Sequence, residues 1–251
     1  MSPVARSIVR KLAALAVLAA LWEATARLFP AWPGPFVVGR VLMENLGDAA
    51  FRQALGGSLR RMIIGYLFVV AIGVSAGMLL GRFRLLDELM GSVAVAIHAI
   101  PGAAWVPLSV LWFGLTEQAV VFTILLGATG VVMVSTDSGI KDVPPQIVRA
   151  ARTLGASGTA FFWHVVIPAA TPKILDGLRL AWAFGWRALM AGELIISVSG
   201  LGELLNVAAR GQQVDQLLAI MLLIAGIGMA VDGFVFKRLD RLVRVRWGLA
   251  S

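Results

Sequence analysis

The sequence has no cysteine, a single tyrosine and only two histidines in 251 residues. Without thiols there is no disulfide framework and no thiolate metal site. His98 and His164 have no second histidine or glutamate at metal-ligand spacing, so no metal is expected and both read as structural histidines. No glycine precedes a lysine anywhere, which excludes a Gly-Lys-Ser/Thr phosphate loop. No Glu-x-x-His occurs, and the Ser-Thr-Asp-Ser-Gly run at 135–139 has no base beside it. Nothing here supports a catalytic residue or a cofactor bound by this chain. Charge is scarce as well: 14% of residues are charged, against about 25% in an ordinary soluble domain.

Apolar residues make up 59% of the chain. Several runs reach the roughly 20 residues that cross a bilayer. The net charge of +8 then reads as retention of Lys and Arg on one side of a membrane, not as a nucleic-acid footprint. The expected fold is all-α and integral to the membrane, with six spans. The first is an uncleaved helix at 12–28, and Pro30 to Pro35 break it. A short surface helix is expected at 36–57, completing an N-terminal unit, 1–57, ahead of a core at 58–247. The second span, 58–81, carries glycines at 65, 73, 77 and 81 on one face. That spacing lets helices approach closely, within one subunit or between two. The third, 89–113, is interrupted by Pro101 and Pro107. The fourth is 119–134, the fifth 177–198 and the sixth 217–236, with a loop at 199–215. If both termini are cytoplasmic, the inner segments 1–11, 82–88, 136–173 and 237–251 hold 14 of the 22 Lys and Arg. The outer segments hold six, and the Arg60-Arg61 pair is the misfit.

The segment 146–172 is the long basic interruption between spans. Pro144-Pro145 precede it. Ile147, Val148, Ala150, Ala151 and Leu154 form an apolar stripe on a first helix, with Arg149 and Arg152 pointing elsewhere. Gly155 permits a turn that a side chain would block. Ser157 is placed to cap a second helix, 158–166, bearing Phe161, Phe162 and Trp163, which Pro168 and Pro172 are expected to end.

Ala150-Ala151, then Gly155, Val165 and Ile167-Pro168 resemble the EAA loop of ABC importer permeases, whose pattern is Glu-Ala-Ala, three residues, Gly, nine residues, Ile, one residue, Leu-Pro. Arg149 replaces the Glu. The run from Ala99 to Leu108, Leu111 to Gly114, Trp186-Arg187-Ala188-Leu189, Gly192-Glu193 and Ser199 to Gly202 resemble the nitrate/sulfonate/taurine/bicarbonate subgroup. The resemblance implies a type I importer permease in a bacterial inner membrane, with Arg149, Ala150, Ala151, Leu154, Gly155, Ala156, Val165, Ile167 and Pro168 forming an ATPase-coupling surface. It implies two cytoplasmic ATPase subunits that hold ATP and Mg, a second permease subunit expected as an identical copy, and a periplasmic or lipid-anchored binding protein. The implied cargo is a small anion, or else a vitamin-precursor heterocycle.

Within the spans, Pro101, Trp105, Pro107, Arg187 and Glu193 are candidate pathway or gate residues, since intramembrane charge must face protein or water. Arg187 and Glu193 lie six residues apart, about 120° around a helix, so each needs a partner elsewhere. Arg187 reads as an anion-attracting residue or one half of an interhelical pair, and Glu193 as structural or a gate contact. A self-sufficient secondary transporter or channel is the rival class; no inverted repeat is evident for it.

Overall fold

The computed structural model describes residues 3–29 and 31–246. Pro30 of the expected helix-breaking segment and residues 247–251 of the basic tail lie outside the described residues, as do the side chains of Lys11, Arg244 and Arg246. Among the described residues every regular element is helical: α1 (Pro3–Leu28), α2 (Pro35–Gly47), α3 (Ala49–Arg82), α4 (Arg84–Ala99), a 3₁₀ turn (Gly102–Trp105), α5 (Val106–Phe113), α6 (Glu117–Lys141), α7 (Pro145–Thr153), α8 (Gly158–Phe161), a π turn (Phe162–Val166), α9 (Ile167–Ile196), α10 (Leu201–Arg210), α11 (Val214–Val231), a second π turn (Asp232–Phe236) and α12 (Lys237–Arg246).

Among the described residues three helical stretches can cross a membrane by length and apolarity: α3, α6 and the continuous stretch Val214–Val243. Two bent pairs raise the number to five: α4 with Gly102–Phe113, bent by 102°, and Gly158–Ile196 with α10, bent by 57°. The first expected span, 12–28, lies in α1, which carries Glu23 and Arg27 as an ion pair near its end and is not among these stretches. The second span begins at Ala49 rather than Ser58, because the Asp48 side chain accepts from the Ala50 and Phe51 backbone amides and caps the helix there. The region expected as a loop at 199–215 contains α10.

The core is α6 held between α3 and α9. The α3 glycines meet α6 within the subunit. A methyl group on Gly73 would lie 2.7 Å from Val132 Cβ, on Gly77 2.6 Å from Thr136 Cβ, and on Gly81 2.8 Å from Ile140 Cβ. The partner numbers rise with the glycine numbers, so the two helices run parallel, and α4 and α5 make the return. On its other side α6 meets α9 antiparallel, with Gly192 on Val120, Ala188 on Gly127 and Ala170 on Gly139. Small residues at these crossings replace the hydrophobic drive that lipid does not supply. Gly73-Val74-Ser75-Ala76-Gly77 has the spacing of a nucleophile elbow, but it sits inside helix α3 with both glycines against α6.

A buried polar clamp closes the end of the bundle away from the long loop. Glu193, near the end of α9, is fully buried, as is Arg61 of α3. Arg61 Nε and Nη2 donate to Glu193 Oε1 at 3.0 and 2.8 Å, and Ser58 Oγ lies 2.8 Å from both Glu193 carboxylate oxygens. Arg61 also donates to the Ser199 carbonyl at 2.6 Å and to Glu117 of α6 at 2.9 Å. Arg60 pairs with Glu117 too, so the misfit arginine pair is neutralised where it stands. The first amides of α10 complete the network: Leu201 donates to Ser58 Oγ and Gly202 to Glu193 Oε2, both at 2.8 Å. A carboxylate at a helix N-terminus satisfies donors that have no intrahelical partner. Glycine is required at 200 and 202, where a Cβ would stand 2.5 Å from Glu193 Oε2 and from Glu193 Cβ respectively.

Two outcomes follow for stability. Gly73→Leu overpacks the α3–α6 contact and should cost about 1–3 kcal/mol or more, lowering the thermal midpoint in detergent; Gly56→Ala, where nothing lies within 4 Å of the new carbon, should not lower it. Glu193→Ala removes the buried carboxylate partner of Arg61, leaving only the partly exposed Glu117 to pair with it, and should cost up to about 3–5 kcal/mol. An unchanged thermal midpoint in that variant would show that the clamp is dispensable.

Candidate functional site

The long loop folds into a knuckle. Pro145 opens α7, where its missing amide has no intrahelical use, and Asp142 just before it pairs with Lys173. At the other end of α7 the Ala156 amide donates to the Ala151 carbonyl and the Gly155 amide to Arg152, both at 3.0 Å. This pair of bonds, with Gly155 at φ +84°, is the Schellman termination of a helix. It explains why glycine stands four residues after Ala151. Ser157 occupies the position before α8, but its side chain makes no capping bond, correcting the expected cap.

The expected stop at Pro168 and Pro172 does not occur. The helix runs without a break from Gly158 to Ile196. In the π turn the Ile167 amide reaches back five residues to the Phe162 carbonyl, which widens the helix just where the Pro168 ring would otherwise crowd the preceding turn. Pro168 then falls in the first turn of α9, and Pro172 is accepted inside it. The knuckle and the fifth span are therefore one piece.

The apolar stripe of α7 divides in two. Val148 packs with Phe162, Val166, Ala170 and Ile174 into a second small core. Ile147, Ala150 and Leu154 face outward at three- and four-residue spacing, with Leu154 88% exposed. Arg149 is exposed with no carboxylate partner among the described residues, and Arg152 lies 5.9 Å over the Phe161 ring. Gly155 is exposed, whereas Ala151, Ala156, Val165, Ile167 and Pro168 are half-buried. Trp163 and His164 also face out, His164 with a ring nitrogen 3.0 Å from the Ala160 carbonyl. Of the three aromatics expected on the second helix only Phe162 is buried, and Val166, which the sequence pattern did not single out, is buried beside it.

The second set of candidates gathers at the broken span. The chain turns at Pro101, and the Ala104 amide closes on the Pro101 carbonyl at 2.9 Å. Pro107 sits in the first turn of α5 and starts that helix instead of interrupting one. The turn is pressed against α6 and α9: a methyl on Gly102 would lie 3.2 Å from Ala188 Cβ, and one on Gly127 2.9 Å from it. Arg187 is the neighbour of Ala188 in α9. Its side chain is exposed, with the guanidinium 5.3 Å from the Phe184 ring, and it has no carboxylate partner among the described residues. His98, expected to be a satisfied structural histidine, instead has an exposed ring edge-on to Phe184 at 6.0 Å. Pro101 and Pro107 are exposed, and half-buried Trp105 has an indole N–H without an acceptor among the described residues. Glu193 is buried in the clamp and does not line this face. Arg179 pairs with Asp232 of the sixth span, Nη2 to Oδ2 at 2.7 Å. No cluster of three or more His, Asp or Glu occurs among the described residues that could hold a metal.

Comparison with known proteins gives this geometry a family. The family described as binding-protein-dependent transport system inner membrane component matches residues 69–247. An ABC transporter permease protein of Methanocaldococcus jannaschii is 34% identical over 238 residues, covering 90% of this chain and 88% of its own. The taurine transport system permease protein of Escherichia coli is 32% identical over 239 residues, covering 92% and 87%. The fold is similar to that of an inward-facing MetNI methionine ABC transporter chain, with a TM-score of 0.66 at 17% identity, over 77% of this chain and 96% of that one. The chain belongs to the inner-membrane components of binding-protein-dependent transport systems, the permease subunits of ABC importers.

Proposed function

We propose that this permease carries a small anion, a sulfonate such as taurine or an ion of the size of nitrate or bicarbonate, and that it works as a pair of identical chains in a bacterial inner membrane. Both termini are cytoplasmic, which puts the knuckle in the cytoplasm. Two ATPase subunits that bind ATP and Mg each receive one knuckle, and a periplasmic or lipid-anchored binding protein delivers the anion at the clamp end. The observation that carries the choice of cargo is Arg187. A guanidinium in a membrane helix is costly unless it meets a partner or water. This one is exposed with no carboxylate partner among the described residues, so a water-lined path for anions accounts for it better than an internal pair. The taurine permease among its relatives supports the same reading.

For coupling, the exposed Ile147, Ala150 and Leu154 offer a shallow apolar face, and exposed Arg149 stands at its edge. Closure of the ATPase pair moves the two knuckles. Because Gly158–Ile196 is continuous, motion at the knuckle is carried along α9 to Arg187 and to the clamp. ATP hydrolysis on the partner thus changes which side of the membrane the anion path faces.

The expected results separate the two parts of this reading. With the ATPase and binding protein in vesicles, Gly155→Val should leave the complex assembled but uncouple hydrolysis from uptake, since a branched residue at φ +84° unmakes the turn. Arg187→Ala should lower anion uptake about tenfold or more, the worth of a charge-assisted hydrogen bond, with hydrolysis still responding to the knuckle. Full anion uptake by Arg187→Ala would remove the anion assignment and leave the coupling intact. ATP-independent uptake by the purified chain alone would mark a self-sufficient carrier instead.

A further inference from the structure

We propose that the cleft between the loop end of α3 and the knuckle binds an anionic phospholipid, with Arg82 holding the headgroup phosphate. Cations cluster at this end of the bundle, and their pairing differs. Arg84 pairs with Glu88 at 2.7 Å, Lys141 with Asp87 and Asp137 at 2.6 and 2.8 Å, and Lys173 with Asp142. Arg82 alone of these four has no carboxylate among the described residues. Its guanidinium lies 4.6 Å from the centre of the Phe162 ring and 5.6 Å from that of Phe83. Aromatic rings engage the face of a guanidinium and leave its N–H edge free to donate. Arg82 is exposed, so that edge is accessible.

The space beside it has the polarity of a lipid. A cleft of about 330 Å³ is lined by Ser75, Met78 and Leu79 of α3 and by Thr159, Phe162 and Trp163 of the knuckle. Ser75, Leu79 and Arg82 follow at four- and three-residue spacing, so the groove climbs one face of α3 from the guanidinium toward the apolar middle of the span. Leu79 and Trp163 are 49% and 53% exposed along it. A cation at the mouth, a hydroxyl from Thr159 beside it and an apolar wall above match a phosphate, a glycerol and the start of an acyl chain. A free phosphate would use the mouth and leave the wall unexplained. Basic pockets between membrane helices at the cytoplasmic surface take anionic headgroups in this way. Because Arg82 belongs to α3 and Thr159 and Trp163 to the knuckle, the lipid would bridge the two.

The test measures phospholipid retained by the purified chain, by native mass spectrometry after exchange into phosphatidylglycerol or phosphatidylcholine. The wild-type chain should retain phosphatidylglycerol preferentially, and Arg82→Gln should lose that preference by about tenfold or more, the worth of charge-assisted hydrogen bonds. Arg84→Gln, two residues away and also exposed, should retain the preference. Ser75→Phe keeps the arginine but fills the groove and should also lose the preference, so the proposal stays testable if Arg82→Gln folds poorly. Equal retention of the two lipids by the wild type, or equal losses in the Arg82 and Arg84 variants, would overturn the site in favour of diffuse surface charge. Displacement of the lipid by inorganic phosphate would overturn it in favour of a free-phosphate site.

Discussion

A buried arginine must be neutralised where it lies, and that constraint organises one whole end of this protein. Arg61 reaches Glu193, Glu117 and the Ser199 carbonyl, which belong to α9, α6 and the turn before α10. Taking these groups out of water is expensive, and the cost is offset only when every donor and acceptor is used. The Glu193 carboxylate accepts from a guanidinium, a hydroxyl and a backbone amide. None of these contacts survives separation of the helices. The clamp is therefore a strict specification of how α3, α6, α9 and α10 meet, whatever its net worth in stability.

The other end of the bundle is built on the opposite principle. Its ion pairs are exposed, and exposed pairs contribute little, about 0–1 kcal/mol each. What fixes the knuckle is backbone geometry: the left-handed Gly155, the paired amides of Gly155 and Ala156, and a small core around Phe162 and Val166. A surface made by a turn can present Leu154 and Arg149 outward without burying them. That suits the proposed role of meeting a second protein.

Local features were legible in the sequence and distant ones were not. Gly155 announces its turn because only nearby amides are involved. The glycines of α3 declare a close packing face by their spacing, but their partners at Val132, Thr136 and Ile140 come only with the fold. Arg61 and Glu193 are 132 residues apart, and no local pattern joins them. The helix α10 was read as loop because the groups that complete its N-terminus, Ser58 and Glu193, stand on other helices. The prolines of the knuckle misled for a related reason. A single π turn, invisible in composition, made room for Pro168, and the helix continued through Pro172. Arg187 had two readings in the sequence, and the fold adds that it is exposed beside Phe184 with no carboxylate partner among the described residues.

The interlocked glycines have a mechanical consequence. Gly73, Gly77 and Gly81 of α3 each hold one α6 side chain, and the next contact lies a full helical turn along, so α3 cannot slide on α6 by less than a turn without collision. The small-residue crossings of α6 on α9 impose the same discreteness on the other side. The three helices form a slab with no soft internal coordinate. A push on the knuckle must tilt this slab as one rigid plate, and the joints have to lie at its margins: the 102° corner at Pro101, the sparse contacts of α1, and the second π turn where α11 passes into α12.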